Sequence, residues 1–212
     1  MKARLVLILV IICNIASAQD QTDKQALALL DKFAAKATSA PSVTIKFDLL
    51  TDDQVERTSD TLTGSVILSR NSYRLELPDN ILWYNGETSW SYLPAEKEVT
   101  ILKPDSKDDS FQSRPSAIFT MHKKGYKARL IEEKPDSYTI DLYPSDLKNE
   151  LIRVRLVLAK NSLDLRSLEY KRRDGITLML VAKEYNLKQA VDQSTFTFQP
   201  SKFKDVDIID MR

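Results

Sequence analysis

One histidine and one cysteine limit the chemistry this 212-residue chain can do. His122 stands beside Lys123 and Lys124, just after a short apolar stretch, and reads as a solvated helix-end residue. No second histidine exists to build a multi-histidine zinc site, and His122 has no serine and aspartate spaced to complete a hydrolytic triad. Four glycines in the whole chain leave no glycine-rich phosphate loop. Paired carboxylates occur at Asp52/Asp53 and Asp205/Asp207, in polar segments without a glycosidase pattern. Asp105, Asp108 and Asp109 lie in a charged stretch that lacks the central glycine and distal glutamate of a calcium loop, so it reads as a solvated loop. The chemistry expected is therefore binding, not catalysis, with no metal and no cofactor.

The N-terminus carries its own signal. Lys2 and Arg4 precede the apolar run 5–13, and Ala16-Ser17-Ala18 has the small-x-small form of a leader cleavage site. The apolar run is far short of the ~20 residues that span a bilayer. Residues 1–18 are expected to be a cleaved signal peptide and 19–212 a single exported, soluble domain. Cys13 follows Ile12, not the small residue a lipid-anchoring cysteine needs, so the mature chain is expected to hold no thiol. Losing Lys2 and Arg4 takes the 31 basic residues to 29 against 30 acidic ones. A near-neutral chain offers no electrostatic footprint for nucleic acid.

What positions the rest is mostly strand. Val43, Ile45, Phe47 and Leu49 alternate with polar residues, as do Leu62, Val66 and Leu68, then Tyr73, Leu75 and Leu77. Trp83 and Trp90 flank an Asn85-Gly86 pair, the strongest short hairpin signal when both residues take positive φ. Further strands are predicted over 98–102, 127–132, 137–143, 151–158, 165–171, 176–186 and 195–198, with 52–60 a polar loop or hairpin tip. Residues 22–38 predict a helix, with Thr22 and Gln25 as a capping box and Ala26, Leu30, Phe33 and Ala37 on its apolar stripe. That helix packs either on the sheet or partly against a ligand. Residues 115–121 predict a short helix with Pro115 in its first turn. Its Ala117, Ile118 and Phe119 serve either as core or as a flap over a cavity. The fold class is mainly β (α+β): a strongly curved antiparallel sheet or unclosed barrel of about 10–11 strands, with an N-terminal helix and short lid helices.

The ordered set Tyr73-Arg74-Leu75-Glu76, Asn85-Gly86-Glu87-Thr88-Ser89-Trp90-Ser91-Tyr92, Arg173-Asp174-Gly175 and Phe196-Thr197-Phe198-Gln199-Pro200 resembles the periplasmic outer-membrane lipoprotein carrier family (LolA). The resemblance implies an unclosed barrel around an apolar cavity that shields the acyl chains of lipoproteins in transit. It implies three partners: acylated lipoproteins, an inner-membrane ABC-type transporter that loads the carrier, and an outer-membrane acceptor that unloads it. The carrier is expected to be a monomer. The family's basic latch residue, which holds the lid shut, has Arg70 as its nearest match, although Arg70-Asn71-Ser72-Tyr73 lacks the family's proline and is one residue shorter. Arg70 is thus either the latch or a surface arginine. Ile45, Phe47, Val66, Leu68, Tyr73, Leu75, Leu77, Trp83, Trp90, Ile118 and Phe119 are the candidate cavity wall, the tryptophans being open to an ordinary core role. The alternative function is a periplasmic amphiphile-binding or lipoprotein-sensing module on the same fold.

Overall fold

The computed structural model describes residues 23–104 and 114–212. The leader, Cys13, Thr22 and the acidic stretch 105–113 lie outside the described residues.

The chain opens with helix α1, Lys24–Ser39. Its cap is Asp23, whose side chain accepts from the backbone N–H of Gln25 (2.7 Å) and Ala26 (3.3 Å). The same carboxylate accepts from Leu130 N at 3.3 Å, and Asp23 N donates to Ala128 O at 2.9 Å, which pins the helix start to a distant strand. Ala26, Leu30, Phe33, Ala34 and Ala37 form the buried stripe. The helix stops before Pro41, because a residue preceding proline is pushed to extended geometry, and Ala40 has ψ 150°.

Twelve strands make one sheet. They are β1 Val43–Asp53, β2 Thr58–Ser69, β3 Ser72–Glu76, β4 Ile81–Tyr84, β5 Ser89–Leu93, β6 Glu98–Leu102, β7 Tyr126–Glu133, β8 Ser137–Pro144, β9 Leu151–Ala159, β10 Leu165–Arg172, β11 Ile176–Asn186 and β12 Asp207–Asp210. The order β12-β6-β5-β4-β3-β2-β1-β11-β10-β9-β8-β7 shows two meanders joined where β1 pairs with β11, with β12 and β7 as unjoined edges. This is the curved, unclosed sheet expected from the alternation, with twelve strands instead of 10–11. Every pair is antiparallel except β12 with β6. Among the described residues no helix is long and apolar enough to cross a membrane.

Three local expectations are corrected, and one strand was not expected. β1 and β2 run to Asp53 and from Thr58, so the hairpin tip is only residues 54–57. The Asn85-Gly86 hairpin forms, but only Gly86 has positive φ (101°), and Asn85 Oδ1 accepts from Glu87 N and Thr88 N, an Asx turn in place of the two-residue type. The predicted strand 195–198 is a 3-10 turn, Gln193–Phe196, capped by Asp192; its phenylalanines are buried by packing across the sheet and not by pairing. β12 carried no burial signal because all four of its residues are exposed.

Alternation divides the sheet into two faces. One carries Ile45, Phe47, Val66, Leu75, Leu142, Leu156 and Leu168, which join the α1 stripe in the main core. The other, around β4–β6, carries Trp83 and Val99, packed with Phe198, Trp90, Tyr92, Phe203 and Val206. Further along that outer face, fully buried Asp141 accepts from Arg155 at 2.6 and 2.8 Å and from the Tyr143 hydroxyl at 3.0 Å. A buried carboxylate needs such partners to offset its lost hydration.

Candidate functional site

A cavity of about 550 Å³, apolar on its sheet and cover walls and polar around its mouth, opens beside the C-terminal end of α1. Val43 of β1, Leu68 of β2, Tyr73 of β3 and Tyr84 of β4 wall it from the sheet, and Ala37 walls it from the helix. Ala117 and Phe119 cover it from the 3-10 turn Pro115–Phe119. The geometry is local in origin. β2 and β3 join through Arg70 and Asn71, with Arg70 at φ 52°, and this tight turn sets Leu68 and Tyr73 opposite each other in register. Tyr73 and Tyr84 are also cross-strand partners, their ring centroids 5.5 Å apart. The Tyr84 hydroxyl donates to Gly86 O at 2.8 Å, so the phenol turns its polar end to the hairpin and its ring to the cavity.

The cover is two turns, not one helix. Thr120 breaks the predicted 115–121 helix into Pro115–Phe119 and Met121–Lys123, and Gly125 follows at φ 84°. Phe119 stacks on Phe33 of α1 with centroids 5.2 Å apart. His122 is not the solvated residue expected from its lysine neighbours. It is 4% exposed, and its Nε2–H donates to Asp31 of α1 at 3.0 Å. The carboxylate can only accept, which assigns the proton to Nε2. Its Nδ1 is buried without a partner among the described residues. Burial of the neighbouring apolar residues carries His122 inward, a long-range effect that the local charge pattern hides.

The rim carries Arg70, Arg114, Asn71, Ser116 and Thr120, with no acidic side chain among the described lining residues. Arg70 lines the same cavity as the cover, though no side-chain hydrogen bond joins it to the described residues of the cover. Among the described residues, no three His, Cys, Asp or Glu side chains group as a metal centre would require.

The eleven residues of the expected wall separate into four places. Leu68, Tyr73 and Phe119 line the cavity. Ile45, Phe47, Val66, Leu75 and Ile118 are packed into the main core next to it. Leu77 lines a second, smaller cavity of about 290 Å³ with Leu49, Leu62, Tyr170, Leu178 and Leu180. Trp83 and Trp90 belong to the cluster on the outer face. Of the other lining residues, Ala117 was expected as core or flap, Ala37 on the helix stripe and Val43 on the apolar face of its strand, and Tyr84 was missed. Tyr84 lies opposite Tyr73, so cross-strand register was the signal available for it.

Many solved structures are similar to the chain. An uncharacterized conserved protein from Thermus thermophilus superposes with TM-score 0.57 at 12% identity, covering 88% of this chain and 99% of that one. A putative outer membrane lipoprotein-sorting protein domain from Vibrio parahaemolyticus gives 0.45 at 10% identity, covering 82% and 96%. A LolA superfamily protein from Nitrosomonas europaea gives 0.44 at 14% identity, covering 82% and 97%. At such identities the first of these shows a shared fold and nothing finer. No curated protein matches the sequence. Residues 16–175 match the family described as outer membrane lipoprotein carrier protein LolA, three quarters of the chain. The chain therefore belongs to the LolA family of outer membrane lipoprotein carrier proteins.

Proposed function

We propose that the protein is a periplasmic carrier that shields the acyl chains of lipoproteins between an inner-membrane ABC-type transporter and an outer-membrane acceptor. The observation that carries this reading is the 550 Å³ cavity, with Val43, Leu68, Tyr73, Tyr84 and Phe119 on its apolar walls, covered by Pro115–Phe119. Each methylene moved from water into such a cavity gains about 0.8 kcal/mol, so an acylated N-terminus needs shielding to cross water. A carrier must also let go. Closing the cavity with Phe119 on Phe33 supplies the opposing cost, since the cover must be displaced before a chain enters. In this reading Val43, Leu68, Tyr73, Tyr84 and Phe119 touch the chains. Arg70 acts as the latch from the rim, where a guanidinium can donate to several carbonyls of the cover. The protein works as a monomeric binder and makes or breaks no bond.

The test is to incubate the purified protein with inner-membrane spheroplasts bearing a labelled lipoprotein. Release of that lipoprotein in a one-to-one soluble complex is the expected result. No release, with free fatty acid or glycolipid bound instead, replaces the reading with a general amphiphile carrier.

A further inference from the structure

The apolar face of the sheet holds two cavities with a solid wall between them. β1 runs from one to the other: Val43 lines the larger, while Leu49 and Thr51 line the smaller. Six residues of strand separate Val43 from Leu49, roughly 20 Å at ~3.3 Å per residue. Between them Ile45 and Phe47 are 2% and 0% exposed. Gly64, opposite Phe47, lets the wall close. A Cβ there would stand 2.8 Å from Phe47 Cζ, 2.8 Å from Leu77 Cδ2 and 2.9 Å from Glu76 O.

We propose that the smaller cavity is a second, separate site for a single acyl chain, entered from the end of the sheet opposite the Pro115–Phe119 cover. Its walls are Leu49, Leu62, Leu77, Leu178 and Leu180, with Tyr170 as the one aromatic. This lining suits a flexible alkyl chain, because its five leucines offer nothing to pair with a polar atom and the Tyr170 phenol is the single polar group among the walls. The rim explains why the chain and not its headgroup is read. Arg172, the rim's one cation, is already paired with Asp174 at 2.8 Å and Glu150 at 3.3 Å, and Asp79 and Asn80 are the other polar groups beside Thr51. The volume of about 290 Å³ accepts one chain end, not a bundle. The site stands whether or not the larger cavity carries lipoproteins.

The experiment is a fluorescence titration of the purified, delipidated protein with cis-parinaric acid, read as equivalents bound. The wild type is expected to bind two. Leu62→Trp obstructs the smaller cavity and Ala117→Trp the larger, and each is expected to bind one, with the pair together binding none. Leu178→Lys, which places a charge in the smaller cavity without adding bulk, repeats the loss of one equivalent should Leu62→Trp fail to fold. A triacylated lipopeptide added at one equivalent identifies the natural source. Displacement of one probe molecule points to a free single-chain lipid, and displacement of both points to a second chain of the same cargo; both outcomes keep the acyl-chain site. Binding of a single equivalent, abolished by Ala117→Trp and untouched by Leu62→Trp and Leu178→Lys, overturns the second site while leaving the carrier reading intact. Binding of none overturns it too, and lipoprotein release from spheroplasts then judges the carrier reading separately.

Discussion

The bond from His122 to Asp31 holds the second turn of the cavity cover to α1, and Asp31→Ala removes it. Asp31 is 62% exposed at its side chain while His122 is 1% exposed, so the mutation deletes a surface atom and leaves a buried donor without a partner. An intramolecular hydrogen bond contributes about 1 kcal/mol net, and an orphaned buried donor costs about 1–3 kcal/mol. His122 Nδ1 already lacks a partner, so the ring cannot recover by switching tautomer within the closed cover. Lifting the cover lets the ring reach water, and the cost of opening should fall by about 1–2 kcal/mol, a factor of about 5–30 in the open population. Alanine is the better helix former, so the rest of the molecule should lose nothing. The assay is native-state hydrogen exchange at the amides that close the turns: Ala117 N to Arg114 O, Thr120 N to Ala117 O, Lys123 N to Thr120 O, and Lys124 N to Met121 O. These should exchange about 5–30 times faster, with β8–β9 amides unchanged. Asp31→Asn keeps an acceptor oxygen and should show a smaller effect. If chains enter only through the open state, affinity for an acyl probe rises by up to the same factor. Unchanged exchange across residues 114–124, or an equal rise over the whole sheet, would refute the idea of a locally opening cover.

Arg70→Leu should leave thermal stability close to wild type, since Arg70 is an exposed turn residue, yet trap cargo or block its handover to the acceptor; normal transfer removes the latch. Gly64→Ala should destabilise the fold by about 1–3 kcal/mol through overpacking against Phe47, Leu77 and the Glu76 carbonyl, lowering Tm by several degrees; an unchanged or raised Tm contradicts the closed wall. Burial pushes the Tyr170 and Tyr185 phenols up, and burial, then the hydrogen bond to Asp141, does the same for Tyr143. A folded pKa above the unfolded value of 10.0 gives stability that is complete below pH 10 and is lost as pH rises past it. In an ultraviolet titration Tyr170 and Tyr185 should stay protonated at about pH 11 until the protein unfolds, whereas their ionisation near pH 10 with the fold intact contradicts their burial.

Alternation in 43–49, 62–68 and 73–77 was enough to place β1, β2 and β3 and to put Leu68 and Tyr73 on one face. The stripe of α1 was equally legible, because apolar spacing of three and four residues has one reading. The motifs around Tyr73, Trp90 and Gly175 pointed to the family before any packing was known. Tertiary structure decided the rest. Period two assigns residues to two faces but does not say what covers each face. Trp83 and Trp90 alternate as regularly as Tyr73 and Leu75, yet they face outward because Phe198, Phe203 and Val206, more than a hundred residues away, fold across them. His122 looks solvated among lysines until Met121 and Phe119 draw it against α1. The division into two cavities depends on Gly64 meeting Phe47 across a strand pair and Leu77 beyond it. The sequence alone settles local periodicity and turn chemistry, which act over a few residues. Which apolar surface is filled, covered or left open is settled by contacts between segments far apart in the chain, and these exist only once the sheet has formed.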